Sequence, residues 1–195
     1  MIAPIIKTAT NTSDETSIID VLVRANNADP AARWIWPDSH QFLMHFPSFV
    51  SAFGGKAFEH ESAHYVDGYA GAALWLPPDV HPNEEKLISL VQRTVSEPIQ
   101  NDFFPVFEQM GRYHPSEPHW YLPLMGVDPS QQGKGFGSAL LKHMLIQLDR
   151  ENKLVYLESS NPRNISLYKR HGFEILGTIQ IGTSPPITPM LRRPK

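Results

Sequence analysis

Apolar residues recur at helical spacing in four stretches of this chain, separated by shorter runs that read as strands. Ile18, Val21, Leu22 and Ala25 stand at i, i+3, i+4 and i+7, with Thr12 and Glu15 spaced as a capping box before them. A second helical region is predicted after Asp38, with Phe42, Leu43, Phe46 and Phe49 on one side and Gly54-Gly55 at its end. Pro47 should kink or divide it. From Asn83 to about Gly111 the pattern is helical again, through Leu87, Ile88 and Val91 and then Phe103, Phe104, Phe107 and Met110, with breaks expected near Pro98 and Pro105. The fourth stripe is Leu141, Met144, Leu145 and Leu148. Pro4 to Ala9 reads as a short strand, and two strands flank the turn dipeptide Asp67-Gly68. His119 to Val127 reads as a buried strand that must stop at Pro129. From Lys153 to Gly177 the order is strand, turn, short helix, strand, with Asn161 as cap, Pro162 at the first helical position and Gly172 at the C-terminal stop. A last strand is expected at Ile187 to Arg192.

The resulting order, β-α-α-β-β-α-α-β-α-β-α-β, predicts one α+β domain over residues 1–195, with a mixed, mostly antiparallel central sheet flanked by helices. The strands bracketing the fourth helix should run parallel. Neither a repeat nor a low-complexity tract or linker interrupts it, and the 18 prolines sit at the ends of predicted elements.

Composition narrows the function classes. A net charge of -3 leaves no basic footprint for nucleic acid or an anionic membrane surface. The N-terminal residues lack a basic region followed by an apolar run, and no stretch approaches the ~20 apolar residues that span a bilayer, so a cytoplasmic protein is expected. With no cysteine, there is no thiolate metal site and no cysteinyl acyl intermediate. No metal is expected.

The chemistry concentrates between the His119–Val127 strand and the fourth helix, at Gln132, Gly133, Lys134, Gly135, Phe136, Gly137 and Ser138. Glycines there allow positive φ and close backbone approach, so successive N–H groups can converge on an anion at a helix N-terminus. A Walker loop does not fit, because Gly133-Lys134 is followed by Gly135 and Asp128 stands where the first glycine belongs. A dinucleotide fingerprint does not fit either, since Ser138 takes its third glycine position. The spacing Gln132, Gly135, Gly137 resembles the acetyl-CoA pyrophosphate loop of the GNAT superfamily of N-acetyltransferases. Further on, Asn164 and Tyr168 before the His171-Gly172-Phe173 turn resemble that family's second cofactor segment. Local features look most like the puromycin N-acetyltransferase branch: Asp29 to Trp34, Leu76-Pro77-Pro78, Glu117 to Trp120, Glu158 to Asn164, and Met190 to Pro194.

This resemblance implies that the strands around the glycine loop splay to admit the pantetheine arm of acetyl-CoA, the acetyl donor. It implies cofactor contacts from Met125, Gly126 and Val127, from the loop Gln132 to Ser138, and from Asn161, Asn164 and Tyr168. Gly126 is a candidate bulge. Tyr168 matches the family's tyrosine aimed at the cofactor sulfur, and a phenol with an ordinary pKa of about 10 can protonate a leaving thiolate. For the base, Glu158 ranks ahead of His119, and a water chain would need neither. Trp34, Trp36, Tyr65 and Trp75 are candidates for an aromatic acceptor pocket, as are the Phe42-Phe46-Phe49 and Phe103-Phe104-Phe107 sets. The expected activity is direct acetyl transfer to a small-molecule primary amine. Two alternatives remain: a peptide or protein amine as acceptor, and a CoA-binding module without catalysis. Oligomeric state is left open.

Overall fold

A computed structural model describes residues 4–195. Residues 1–3, on which the reading of the N-terminal segment partly falls, lie outside the described residues. The elements are β1 (Ile6–Thr8), α1 (Thr12–Asn26), α2 (Pro30–Ile35), α3 (Ser39–Gly54), α4 (Lys56–Glu59), β2 (Ala63–Val66), β3 (Gly71–Leu76), α5 (Glu84–Thr94), α6 (Glu97–Tyr113), β4 (His119–Val127), α7 (Phe136–Arg150), β5 (Leu154–Ser159), α8 (Pro162–Arg170), β6 (Glu174–Ile175) and β7 (Thr188–Arg192), with a 3₁₀ turn at Pro129–Gln131. The seven strands form one sheet in the order β1-β2-β3-β4-β5-β7-β6. Only β4 and β5, which bracket α7, run parallel among the paired neighbours.

Both faces of the sheet are covered, which is why β2 and β3 are buried at every residue. Alternation sends Ala72, Leu74 and Leu76 into the core beneath α1 and α3, and Ala73 and Trp75 into the one beneath α7. The α7 stripe, Leu141, Met144, Leu145 and Leu148, is buried as its period requires. Among the described residues no helix is long and apolar enough to cross a membrane.

Several boundaries differ from the sequence reading, each for a local reason. Helix α1 is capped by Asn11, whose side chain accepts from the Asp14 N–H, so the Thr12–Glu15 box is not used. Asp14 is buried instead, accepting from Tyr69 and Tyr65 hydroxyls at 2.6 and 3.3 Å. Helix α3 runs through Pro47 unbroken. The carbonyl that Pro47 cannot bond belongs to Leu43, a residue 57% exposed, where solvent can replace the missing N–H. Pro105 lies inside α6 on the same terms, with exposed Asn101 four residues before it. The break between α5 and α6 falls at Val95-Ser96, and Pro98 sits in the first turn of α6. Leu43 and Ile88, expected on buried faces, point to solvent. Helix α2 was not anticipated, although Asp29-Pro30 supplies both its cap and its first residue.

Candidate active site

The site begins where β4 and β5 part. Their parallel pairing ends at Tyr121 opposite Tyr156, although β4 continues to Val127 and β5 to Ser159. On its other edge β4 stays paired with β3 through Val127, and the bulge lies at Leu74/Leu76, opposite Tyr121 to Leu124. Gly126 is therefore in regular register with Ala72, not in a bulge. Its missing side chain serves packing: a Cβ there would stand 2.4 Å from the Ala25 methyl carbon, so glycine lets α1 lie against β4. The Asp128 N–H bonds the Ala70 carbonyl on the β3 side. Strand alternation then turns Gly126 toward β3, leaving Met125 and Val127 with their polar groups toward the splayed side. Gln132 uses that opening, donating from Nε2 to the Val127 carbonyl at 3.2 Å.

The loop that follows has the backbone a phosphate site needs. Gly133 and Gly135 have φ of +78 and +84, and a Cβ at either would meet no atom within 4 Å. The space over the loop is open. Gly135 begins α7 without a side-chain cap, whereas α1, α2, α3, α5 and α8 all have one. The first N–H groups of α7 thus remain available to an anion.

These features border a cleft of about 730 Å³ between the α1–α2 connection, the end of β4, the loop and α8. Met125, Gly126, Val127, Gln132, Gly133, Gly135, Phe136, Gly137, Ser138, Asn161 and Asn164 all line it. Lys134 and Tyr168 do not; the Lys134 ammonium bonds Gln131 at 2.7 Å. The Asn161 side-chain oxygen caps α8 by accepting from the Arg163 N–H. The cleft also has residues that sequence reasoning missed: Asn26, Asp29 and the cations Arg24, Arg163 and Arg170. Arg24 is held by Asp128 at 2.9 Å, and Ser130, then Arg24, hold the Asp128 carboxyl down to about 2. The only available signal was the i, i+7 spacing that places Arg163 and Arg170 on one side of α8.

A second, narrower cavity of about 100 Å³ opens beside the first, and Asn26 and Asp29 belong to both. Its walls include Trp34, Phe46, Phe49 and Phe53 on one side and Phe103, Phe107 and Met110 on the other, with Glu158 among the β5 residues. Of the four aromatic residues proposed for an acceptor pocket, only Trp34 lines it; Trp36, Tyr65 and Trp75 are core. Phe42 and Phe104 are likewise absent from the walls, Phe42 because it is fully buried under α3. Asp29 caps α2 by accepting from Ala31 and Ala32 N–H groups, and its other oxygen accepts from Ser160 at 2.7 Å. Burial raises its carboxyl pKa against those hydrogen bonds.

Glu158 has a side chain only 4% exposed, 3.4 Å from His114 Nε2, and its Oε1 has no partner at ordinary hydrogen-bond geometry. Burial, then the charge of Glu158, keeps the Tyr121 and Tyr156 hydroxyls protonated. His119 is half-buried at the start of β4 and touches His114. His114 itself, at the end of α6, was not identified from sequence, because nothing in its surroundings along the chain marks it. Tyr168 packs edge-on against Phe173 on the α7 side of the sheet. Burial, then the nearby charge of Asp29, pushes its hydroxyl pKa up, so it remains a proton donor.

Residues 104–175 match the family described as acetyltransferase (GNAT) domain. An uncharacterized N-acetyltransferase of Schizosaccharomyces pombe is 26% identical over 145 residues, 67% of this chain and 59% of the relative. The mycothiol acetyltransferase of Propionibacterium freudenreichii is 35% identical over 71 residues, 35% of this chain and 22% of that protein. The chain thus spans less than two thirds of the length of these relatives. A solved structure from Corynebacterium glutamicum, described as histone acetyltransferase HPA2 and related acetyltransferase, superposes with a TM-score of 0.70 at 29% identity, covering 100% of this chain and 98% of that one. A mosquito arylalkylamine N-acetyltransferase-like protein shares the fold, with a TM-score of 0.62 at 13% identity over 97% of this chain and 99% of that one. Matched segment, sheet topology and loop geometry agree in their likeness to a GNAT acetyltransferase domain.

Proposed function

We propose that the protein is an acetyl-CoA-dependent N-acetyltransferase whose acceptor is a small primary amine. The observation that carries this reading is the junction of two unlike cavities at Asn26 and Asp29: an open cleft with free helix N–H groups and three arginines, and a narrow apolar one containing a buried carboxylate. The first suits a long, anionic nucleotide thioester, which supplies an activated acetyl group. In this reading the N–H groups from Gly133 to Ser138 hold the pyrophosphate, and those of Met125 and Val127 hold the pantetheine and acetyl oxygen. The second cavity suits the acceptor. Its aromatic walls exclude water, and Glu158 receives a proton from the ammonium so that a neutral nitrogen can attack. Tyr168 then gives its hydroxyl proton to the departing sulfur, and the second proton shed by the attacking nitrogen restores the phenol, so that amide, thiol and neutral Tyr168 result. With no cysteine in the chain, transfer is direct. A cytoplasmic location and the puromycin N-acetyltransferase branch belong to the same proposal and rest on sequence alone.

A peptide or protein amine is the second reading, favoured by the description of the Corynebacterium structure as a histone acetyltransferase. The narrowness of the second cavity weighs against it, since an extended chain needs an open groove. Thiol release from acetyl-CoA, measured with a panel of small amines and of peptides with free amino groups, separates them. Turnover of small apolar amines is expected. Turnover of peptides alone would transfer the reading to the second acceptor class, and CoA binding without any turnover would leave a non-catalytic module.

A further inference from the structure

Glu158 and His119, alternatives for one role in the sequence, are the two ends of a single chain of contacts in the structure, and His114 joins them. His114 Nε2 lies 3.4 Å from Glu158 Oε1, its Nδ1 is 3.0 Å from His119 Nε2, and His119 Nδ1 is 2.8 Å from the Glu117 carbonyl. The last contact fixes the tautomers of the rest. A carbonyl only accepts, so His119 Nδ1 carries hydrogen and its Nε2 is the lone-pair nitrogen in the neutral ring. His114 Nδ1–H then donates to it, and in a neutral His114 ring Nε2 is the lone-pair nitrogen that faces the carboxylate. In that state two acceptors stand 3.4 Å apart, in keeping with a Glu158 Oε1 that has no hydrogen-bond partner. One proton arriving at Glu158 closes the gap.

We propose that Glu158, His114 and His119 form a relay that carries the acceptor's ammonium proton out of the apolar cavity to solvent. The inference rests on the amine-acetyltransferase reading. An ammonium N–H bond breaks and the proton joins Glu158; the Glu158 O–H proton passes to His114 Nε2; the His114 Nδ1 proton passes to His119 Nε2; and the His119 Nδ1–H bond breaks to release a proton to water, after which exchange with solvent returns both rings to their starting tautomers. One proton enters and one leaves, matching the single proton released when an ammonium and a thioester become an amide and a thiol. The Glu158 side chain is 4% exposed and lines the apolar cavity, so the relay gives its proton a route through side chains. The His114 ring is held between Tyr121 and Tyr156, with centroids 4.7 and 4.3 Å away, so its nitrogens keep their aim. The titratable groups around the relay are Tyr121 on β4, Tyr156 on β5, Tyr113 at the end of α6, and His81 and Glu117 beside His119. Burial lowers the His119 pKa, which keeps that ring neutral and ready to accept.

His114→Phe preserves a ring between the two tyrosines while removing both nitrogens. Its kcat should fall about 10²-fold, the low end of general base catalysis, with KM for acetyl-CoA unchanged and activity partly restored by free imidazole. A wild-type kcat and pH profile, or a loss that imidazole does not restore, would overturn the relay. His119→Gln, at the first residue of β4, applies the same test should His114→Phe fail to fold. Nitrogen-15 spectra of the imidazoles, recorded without any amine, make the two readings separable. A His119 titration moved both by His114→Phe and by Glu158→Gln is expected; a His119 titration that neither substitution moves overturns the relay even where amines are acetylated. A wild-type protein that turns over no amine overturns the relay's purpose together with the amine reading, whatever the spectra show.

Discussion

Gly135→Val tests the glycine loop with a cost that can be worked out beforehand. Gly135 has φ of +84 and a Cβ there would meet nothing within 4 Å, so the folded protein without ligand suffers backbone strain and no clash. A non-glycine residue in the left-handed region costs about 1–2 kcal/mol, with β-branched residues at the upper end. For a domain of this size that corresponds to a fall in Tm of roughly 4–8 °C. The larger effect falls on the ligand. Strain at the N-cap pulls the N–H groups of Phe136, Gly137 and Ser138 out of convergence, and the valine side chain occupies the open space where a pyrophosphate would lie. Hydrogen bonds to a charged group contribute about 1.5–3 kcal/mol each. Losing one or two weakens binding by about 3 kcal/mol, or roughly 10²-fold in Kd. Gly68→Val is the matched control: φ is +76, again with nothing within 4 Å, but the residue sits in the hairpin between β2 and β3, outside the cleft. Calorimetry with acetyl-CoA, beside thermal unfolding of both variants, should show similar stability losses and an affinity loss in Gly135→Val alone. An unchanged affinity in a folded Gly135→Val protein would remove the loop as the anion site.

Tyr168→Phe retains the packing against Phe173 and removes the proton donor, so kcat should fall by about 10²- to 10⁴-fold with little change in KM for acetyl-CoA; full activity where chemistry limits the rate would assign the proton to another group. Initial-rate patterns should be sequential in both substrates, since the chain has no cysteine to hold an acyl group, and a ping-pong pattern would contradict direct transfer. Phe49, stacked between Phe46 and Phe53 at 5.5 and 5.2 Å, lines the apolar cavity; Phe49→Ala should raise KM for the amine about tenfold and leave that for acetyl-CoA alone, and the reverse result would exchange the assignments of the two cavities. The Arg192 guanidinium, buried in β7, bonds both Asp149 oxygens at 2.7 Å and lowers the Asp149 pKa. A depressed carboxyl stabilises the fold above its unfolded pKa, near 3.9, and loses that contribution as pH falls through the folded value. Asp149→Asn should therefore cost about 1.5–3 kcal/mol at neutral pH, and its deficit in Tm against wild type should shrink below about pH 4; a pH-independent deficit would mean that the pair acts through packing.

Much of the fold was legible because helix period and turn chemistry are local. The α7 stripe, the Asn161-Pro162 start and Gly172 stop of α8, and the Asp67-Gly68 hairpin all depend on residues within a few positions of one another. Failures came where a local rule had a tertiary exemption. Pro47 and Pro105 each leave unbonded the carbonyl of an exposed residue, Leu43 or Asn101, and that exposure is a property of the packed molecule. Asp29 shows a related limit. As a residue before proline it reads as a cap, and it is one, but its second oxygen reaches Ser160 across the cavity junction. His114 carries no motif at all. It gains significance only because the end of α6 brings it against β5, so that Glu158, far along the chain, becomes its neighbour.

The aromatic residues show why acceptor chemistry is harder to read than donor chemistry. Phe42, Phe46, Phe49 and Phe53 form one continuous stripe on α3, with successive rings 4.7 to 5.5 Å apart. Phe42 is entirely core, while Phe46, Phe49 and Phe53 face the cavity. Hydrophobic period cannot divide such a stripe, because core and cavity wall are both hidden from water by whatever lies across from them. Here that partner is α6, through Phe103, Phe107 and Met110. The glycine loop is different, since its φ angles and uncapped helix start are written in the residues that form it. The stretch matching the family, residues 104–175, contains the loop, β4 and β5 but none of α3. One wall of the apolar cavity, the proposed acceptor site, therefore belongs to chain outside the matched pattern, and on that proposal substitutions along α3 should reshape the choice of amine without disturbing a residue of the loop or of the Glu158–His114–His119 chain.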